Sequence, residues 1–187
     1  VVAKTRVNTA QLTRLSTTDE LTGLLNRRGF ERALADMFSD CTGGGPELAV
    51  IAIDLDHFKR LNDTCGHDKG DLALKAAGEL MKAGIRPEDA AARVGGDELF
   101  MLLRGVKGDK ALAIAGRLAD LFSRHASSKG LPWPTMSMGV ALARAHGARS
   151  PEHLLQMADS ALYGGKHAGR GRCIVYEPGL NPQSAAA

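Results

Sequence analysis

Two pairs of carboxylates stand out in the chain: Asp54 and Asp56 at the end of ELAVIAIDLD, and Asp97 and Glu98 inside RVGGDELF. Two or three such hard oxygens facing a phosphate suit Mg2+, which prefers carboxylates, water and substrate phosphate in octahedral geometry. The two glycines of the second stretch bare the backbone, so that it can approach a bulky ligand such as a nucleotide closely. A plainer reading stands beside this one: the GGD turns a hairpin and the acids are solvated.

A phosphate site also needs cations. The sequence has no GxxxxGK[ST] loop, so the usual phosphate cradle is absent. Lys59 after the first acidic pair, and Lys166 and Arg170 in GGKHAGRGR, are the candidates. Each, taken alone, also reads as a solvated surface charge.

The elements that would position these groups follow from periodicity. ELAVIAIDLD is a short, nearly continuous apolar run, as a central strand buried on both faces requires. AAARV and ELFMLL flank the GGD as a strand, tight turn and strand. If the first strand and the hairpin are neighbours, both acidic pairs converge at one edge of the sheet. Helical stripes run through Phe30 to Phe38, Lys69 to Lys82 and Gly108 to His125. A further helix starts at Ser150 and Pro151, an N-cap and first-turn pair. PTMSMGVAL, entered through Pro134, and CIVY are further strands. Two helices between the first strand and the hairpin, then helix, strand, helix, strand, predict an α/β fold with a mixed central sheet flanked by helices.

Composition narrows the class. The chain has 187 residues, 44% of them hydrophobic, which suits one globular domain with a full core and a short appendage. No apolar run approaches the roughly 20 residues of a membrane span, and VVAKTRVNTAQ lacks the apolar block of a signal peptide. These features predict a soluble cytoplasmic domain, which a longer parent protein could tether to a membrane. Cys41, Cys65 and Cys173 are odd in number and widely spaced, which argues against a disulfide framework or zinc knuckle. A net charge of +3 and 4% aromatic residues offer little to a nucleic-acid polymer.

Taken together, DELTGLLNRRGF, IDLDHFKRLNDTCGHDKGD, RPEDAAARVGGDEL, SMGVA and ADSALYGGKHAGR resemble, in order, the signatures of the GGDEF domain, the catalytic module of bacterial diguanylate cyclases. The resemblance covers about Asp19 to Tyr176. It implies a nucleotidyl-cyclase or ferredoxin-like palm over residues 19–177, preceded by a connecting helix through residue 18 that links to an upstream sensor domain, and followed by a tail over 178–187. The implied reaction joins two GTP into cyclic di-GMP and two pyrophosphates, with one GTP on each half of a homodimer.

The resemblance also implies roles. Asp54, the Leu55 carbonyl and Asp97 match Mg2+ ligands, or Mn2+ in its place, with Glu98 as a further metal-linked carboxylate. Asp97 is in addition the group that assists deprotonation of the attacking hydroxyl. Lys59 matches the cation that stabilises transition-state charge. Asn62 and Asp71 match the guanine-reading positions, with His67 at the same pocket, and Lys166 and Arg170 match the terminal-phosphate contacts. Arg86 and Asp89 form an RxxD in register with the product-binding inhibitory site, where cyclic di-GMP would act as inhibitor; RPED read alone is equally a turn.

The sequence departs from the family at Leu99, where Phe is usual, and at Val94, where an aromatic is common. Smaller side chains behind the turn could loosen the support of the metal ligands. Two function classes therefore stand side by side: an active cyclase, and a non-catalytic module that senses cyclic di-GMP or GTP. A cyclase of altered nucleotide choice is a third, against which the carboxylate of Asp71 speaks.

Overall fold

The structure is a computed structural model that describes residues 17–132 and 135–179. Residues 1–16 of the connecting helix expected through residue 18, Pro134 and all of the tail after Gly179 lie outside the described residues.

Helix α1 (Arg27–Thr42) begins at Asn26, whose side chain accepts a hydrogen bond from the Gly29 amide at 3.0 Å. Strand β1 (Leu48–Leu55) runs into a short α2 (Phe58–Cys65) and then α3 (His67–Gly84). The hairpin strands β2 (Ala90–Gly95) and β3 (Glu98–Arg104) follow, then α4 (Gly108–Ser128), β4 (Met136–Leu142), α5 (Pro151–His167) and β5 (Cys173–Val175). The apolar run predicted as a central strand is one: β1 lies in the middle of a sheet ordered β2-β3-β1-β4-β5. It pairs antiparallel with β3 and β4, while β4 and β5 are parallel, so the sheet is mixed as expected.

Alternation along β1 divides the core in two. Ile51, Ile53 and Leu55 face α3 and α4, where Leu74, Met81, Ala115 and Phe122 are buried. Val50 and Ala52 face α1 and α5, against Phe30, Leu34, Leu154 and Ala158. Both faces of the sheet are thus covered, which is why this strand carries no polar alternation until its end. Phe30 of α1 stacks on Phe100 of β3 with ring centroids 4.8 Å apart. Helix α5 sits so close to β4 that a Cβ on Gly139 would lie 2.1 Å from the Ala158 carbonyl oxygen.

Leu99 is wholly buried in the α3/α4 core, so the smaller residue behind the turn packs. The turn itself is two residues, Gly96 and Asp97, between the paired Gly95 and Glu98. Gly96 takes a left-handed φ of 48°, as tight hairpin turns require.

The exposed edge of β2 is covered by the segment before α1. Leu25 accepts the Arg93 amide at 2.8 Å and donates its own amide to the Ala91 carbonyl at 3.0 Å. Thr18 bridges Leu25, and Asn26 donates its amide to Thr17. Thr17 and Thr18 are therefore bonded into the domain. Asp19 anchors this turn: its carboxylate receives the Thr22 amide and hydroxyl and pairs with Arg93 at 3.2 Å. Burial raises the Asp19 carboxyl, but Thr22 and Arg93 together hold it below its ordinary value.

Candidate active site

The antiparallel register of β1 and β3 sets Asp54 directly opposite Glu98. The turn residue Asp97 follows just beyond, so both acidic pairs reach one end of the sheet, as expected if strand and hairpin are neighbours. Asp54 continues the Val50, Ala52 parity and faces α5, and there Lys166 places its Nζ 2.7 Å from Asp54 Oδ2. Burial pushes the Asp54 carboxyl up; Lys166 pulls it down, and the charges of Asp97 and Asp56 add to the rise.

Below this end of the sheet, between α1 and α5, lies a cleft of about 480 Å³. Phe30, Phe100, Leu155 and Leu162 form its apolar floor, and Arg27, Glu98, Asp159 and Lys166 its charged rim. Arg27 stands 4.0 Å from Glu98, both well exposed. Neither Arg27 nor Asp159 is singled out by sequence reasoning. For Asp159 a signal exists: it lies two helical turns before Lys166, on the same face of α5. For Arg27 only the fold supplies one.

Asp56 takes a different place from Asp54. It is 4% exposed and accepts from the Ser137 hydroxyl at 2.7 Å, the Thr135 hydroxyl at 2.9 Å and the Gly171 amide at 3.0 Å. β1 ends at Leu55, so Asp56 has left the pleat and turns towards the β4 entry. The strand-end pair is thus one carboxylate in the cleft and one in a buried hydrogen-bond node.

The remaining predicted residues sit around this edge. His57, with a left-handed φ of 60°, turns the chain into α2. Lys59 and Asn62 are on α2, and His67 and Asp71 open α3; all but Asn62 are exposed. The Asn62 Oδ1 is buried with no hydrogen-bond partner, the only such side-chain atom among the described residues. It lies against Gly70, where a Cβ would come within 1.9 Å of it. Arg170 is exposed in the loop between α5 and β5.

Arg86 and Asp89 lie at the opposite end of β2 from the turn. Both Asp89 oxygens are engaged by backbone, Oδ2 by the Arg86 amide at 3.1 Å and Oδ1 by the Arg104 amide at 2.9 Å. The Arg86 guanidinium stands 3.8 Å from Glu88 rather than on Asp89. Arg104, at the end of β3, also pairs with Asp40 of α1.

Among the described residues, no three His, Cys, Asp or Glu side chains stand close enough to hold a metal by themselves. The donors at the β1 end nevertheless fit Mg2+. Asp54 feels the charge of Asp97, the Leu55 carbonyl follows, and Mg2+ ordinarily completes its shell with water and substrate phosphate.

A mixed sheet with two helical layers, carrying acids on a central strand end and on the adjacent hairpin turn, defines a palm of the nucleotidyl-cyclase type. Residues 16–172 match the family described as diguanylate cyclase, GGDEF domain. The chain belongs to the GGDEF domain family. It is 35% identical over 170 residues to the response regulator PleD of Caulobacter vibrioides, covering 86% of this chain and 36% of PleD. It is 36% identical over 162 residues to the cyclic di-GMP phosphodiesterase NbdA of Pseudomonas aeruginosa, covering 86% of this chain and 21% of NbdA. In structure it resembles the coiled coil and GGDEF domain of DgcB from Caulobacter crescentus in complex with c-di-GMP. There the TM-score is 0.80 at 28% identity, with 93% of each chain covered. The chain spans well under half the length of these two curated relatives.

Proposed function

We propose that this domain is a diguanylate cyclase module that condenses two GTP into cyclic di-GMP and releases two pyrophosphates. The observation that carries the reading is the convergence of Asp54, Asp97, Glu98 and Lys166 at the β1 end, within a domain of this family. In each step the 3′-hydroxyl of one GTP attacks the α-phosphorus of the other, and pyrophosphate leaves. Two domains must face each other, because each holds one GTP.

Asp97, at the tip of the turn, takes the proton of the attacking hydroxyl. Lys59 stabilises charge on the phosphates, as preorganised cations do in phosphoryl transfer. Lys166 and Arg170 hold the terminal phosphates, for which Lys166 would give up its present contact with Asp54. Asn62 and Asp71 read the guanine edge beside His67; the unpartnered Asn62 Oδ1 is a reason to expect a ligand near that amide. Asp54, the Leu55 carbonyl, Asp97 and Glu98 would hold Mg2+ or Mn2+, which when bound supplies Lewis-acid polarisation of the phosphates. Product returns to Arg86 and Asp89; that DgcB is solved in complex with c-di-GMP supports product binding by a domain of this kind, and the RxxD register favours these two residues for it. The module works in the cytoplasm as a homodimer whose geometry an upstream sensor sets.

Incubation with GTP and Mg2+, with products resolved by chromatography, tests the reading. Cyclic di-GMP should form, specific activity should rise with protein concentration, and Asp97→Asn should lower turnover at least a hundredfold while the protein stays folded. A second reading, a non-catalytic module that binds cyclic di-GMP or GTP, is favoured by the likeness to NbdA, whose name is that of a phosphodiesterase. It would appear as nucleotide binding with no product.

A further inference from the structure

The loop that carries Arg170 has an unusual backbone. Gly169, Arg170 and Gly171 have φ of 114°, 61° and 59°, three successive residues in the left-handed region. Arg170 is there without the freedom of glycine, so its surroundings must hold it. Five hydrogen bonds do so, two of them within the turn itself: the Gly169 amide donates to the Lys166 carbonyl at 3.4 Å and Arg172 Nε to the Arg170 carbonyl at 3.3 Å. The Arg170 amide donates to the Gly165 carbonyl at 3.1 Å, and the Arg172 carbonyl accepts from the Met138 amide at 2.9 Å. Between them, the Gly171 amide donates to Asp56 Oδ2 at 3.0 Å. Of the five, only the Asp56 contact is made by a side chain from outside the loop.

Asp56 is also bound on its other sides. Its own amide donates to the Thr135 carbonyl at 3.0 Å, and its carboxylate takes the Thr135 and Ser137 hydroxyls. Gly171 packs on Thr135 as well, since a Cβ there would lie 3.7 Å from Thr135 Cβ. The end of β1, the entry to β4 and the Arg170 loop thus meet at one buried carboxylate. Its partners are hydroxyls and an amide rather than a cation. Burying a charge this way is a weak source of stability, but a carboxylate is a stronger and more directional acceptor for an amide than a neutral oxygen.

We propose that Asp56 is a positioning residue for phosphate binding. It locks the Gly169 to Gly171 loop, and with it Arg170, in register with Asp54 and Leu55, its neighbours on β1. The acid at the metal end and the cation at the terminal phosphates are thereby set at a fixed separation by one side chain that touches neither ligand. This inference rests on the proposed role of Arg170 at the terminal phosphates.

The test measures binding of 3′-deoxy-GTP, which lacks the attacking hydroxyl and cannot turn over, against GMP, which lacks the terminal phosphates. Both are titrated with Mg2+ into wild type, Asp56→Ala, Asp56→Asn, Arg170→Ala and the Asp56→Ala/Arg170→Ala double variant. Asp56→Ala should weaken 3′-deoxy-GTP about tenfold and leave GMP within about twofold, with Asp56→Asn intermediate because its amide oxygen can still accept from Gly171. In the Arg170→Ala background the Asp56 substitution should have little further effect, as coupled residues require. Equal weakening of both nucleotides, or an undiminished effect without Arg170, overturns the proposal and leaves Asp56 a fold residue only. Should Asp56→Ala not fold, Asp56→Asn alone carries the same comparison. Wild type binding 3′-deoxy-GTP no more tightly than GMP would remove the phosphate role of Arg170 itself, a result visible before any Asp56 variant is made.

Discussion

Lys166 on α5 reaches across to β1 and sets its Nζ 2.7 Å from Asp54 Oδ2, so the cation expected at phosphate rests on the carboxylate expected at metal. The contact joins two roles that sequence treats as separate. It also explains how a half-buried acid crowded by Asp97 and Asp56 is tolerated when no divalent ion is bound.

Lys166→Ala should therefore separate two effects. GTP affinity should fall about ten- to a hundredfold, the value of one charge-assisted contact. Divalent ion should also raise the melting temperature more in the variant than in wild type, because it would then be the principal neutraliser of Asp54. Thermal unfolding with and without Mg2+ checks this, and an equal gain in both proteins would count against it.

At the other end of β2, Arg86 and Asp89 should part company under mutation. Arg86→Ala should weaken cyclic di-GMP binding about ten- to a hundredfold with stability unchanged. Asp89→Ala should weaken it too and also cost about 1–3 kcal/mol of folding stability, since the Arg86 and Arg104 amides lose their acceptor. Calorimetry with cyclic di-GMP and urea denaturation of both variants are the measurements. An Asp89→Ala protein as stable as wild type would mean that water replaces the carboxylate.

His146 accepts the Leu142 amide at Nδ1, 3.1 Å away, and its ring lies 5.5 Å from that of Tyr176. Burial lowers its pKa, against a smaller opposing effect of Glu47. The unfolded chain then binds the proton more readily than the folded one. The contribution to stability is full above the ordinary His value near 6.5 and is lost as pH falls through and below it. Denaturant midpoints from pH 7.5 to 5.5 should fall less steeply for His146→Gln than for wild type; parallel profiles would show that His146 is not a source of the pH dependence.

Gly139→Ala should be among the most damaging single-methyl changes. Its Cβ would lie 2.1 Å from the Ala158 carbonyl oxygen and 2.3 Å from the Leu162 amide nitrogen, both backbone atoms of α5. The helix must move off the sheet and take Lys166 with it. We expect a loss of about 3 kcal/mol or more, read from equilibrium unfolding, together with weakened GTP binding. A variant of wild-type stability would show that α5 shifts at little cost.

What the sequence determined by itself is what depends on near neighbours along the chain. The apolar run Leu48 to Ile53 reads as a strand covered on both faces, and Gly96 with Asp97 reads as a tight turn, because length, β-branched content and backbone freedom are local properties. The ordered signatures likewise sufficed for the family. Tertiary structure decided how the polar side chains divide. Two residues apart, Asp54 and Asp56 would share a face of any continuous strand, yet β1 ends between them, and one enters the cleft while the other is buried against β4 and the Arg170 loop. The pairings of Lys166 with Asp54, Arg93 with Asp19, and Asp89 with the Arg104 amide join residues far apart in sequence. No local period encodes these contacts; they exist only once the strand order and the placement of α5 bring the partners within hydrogen-bonding reach.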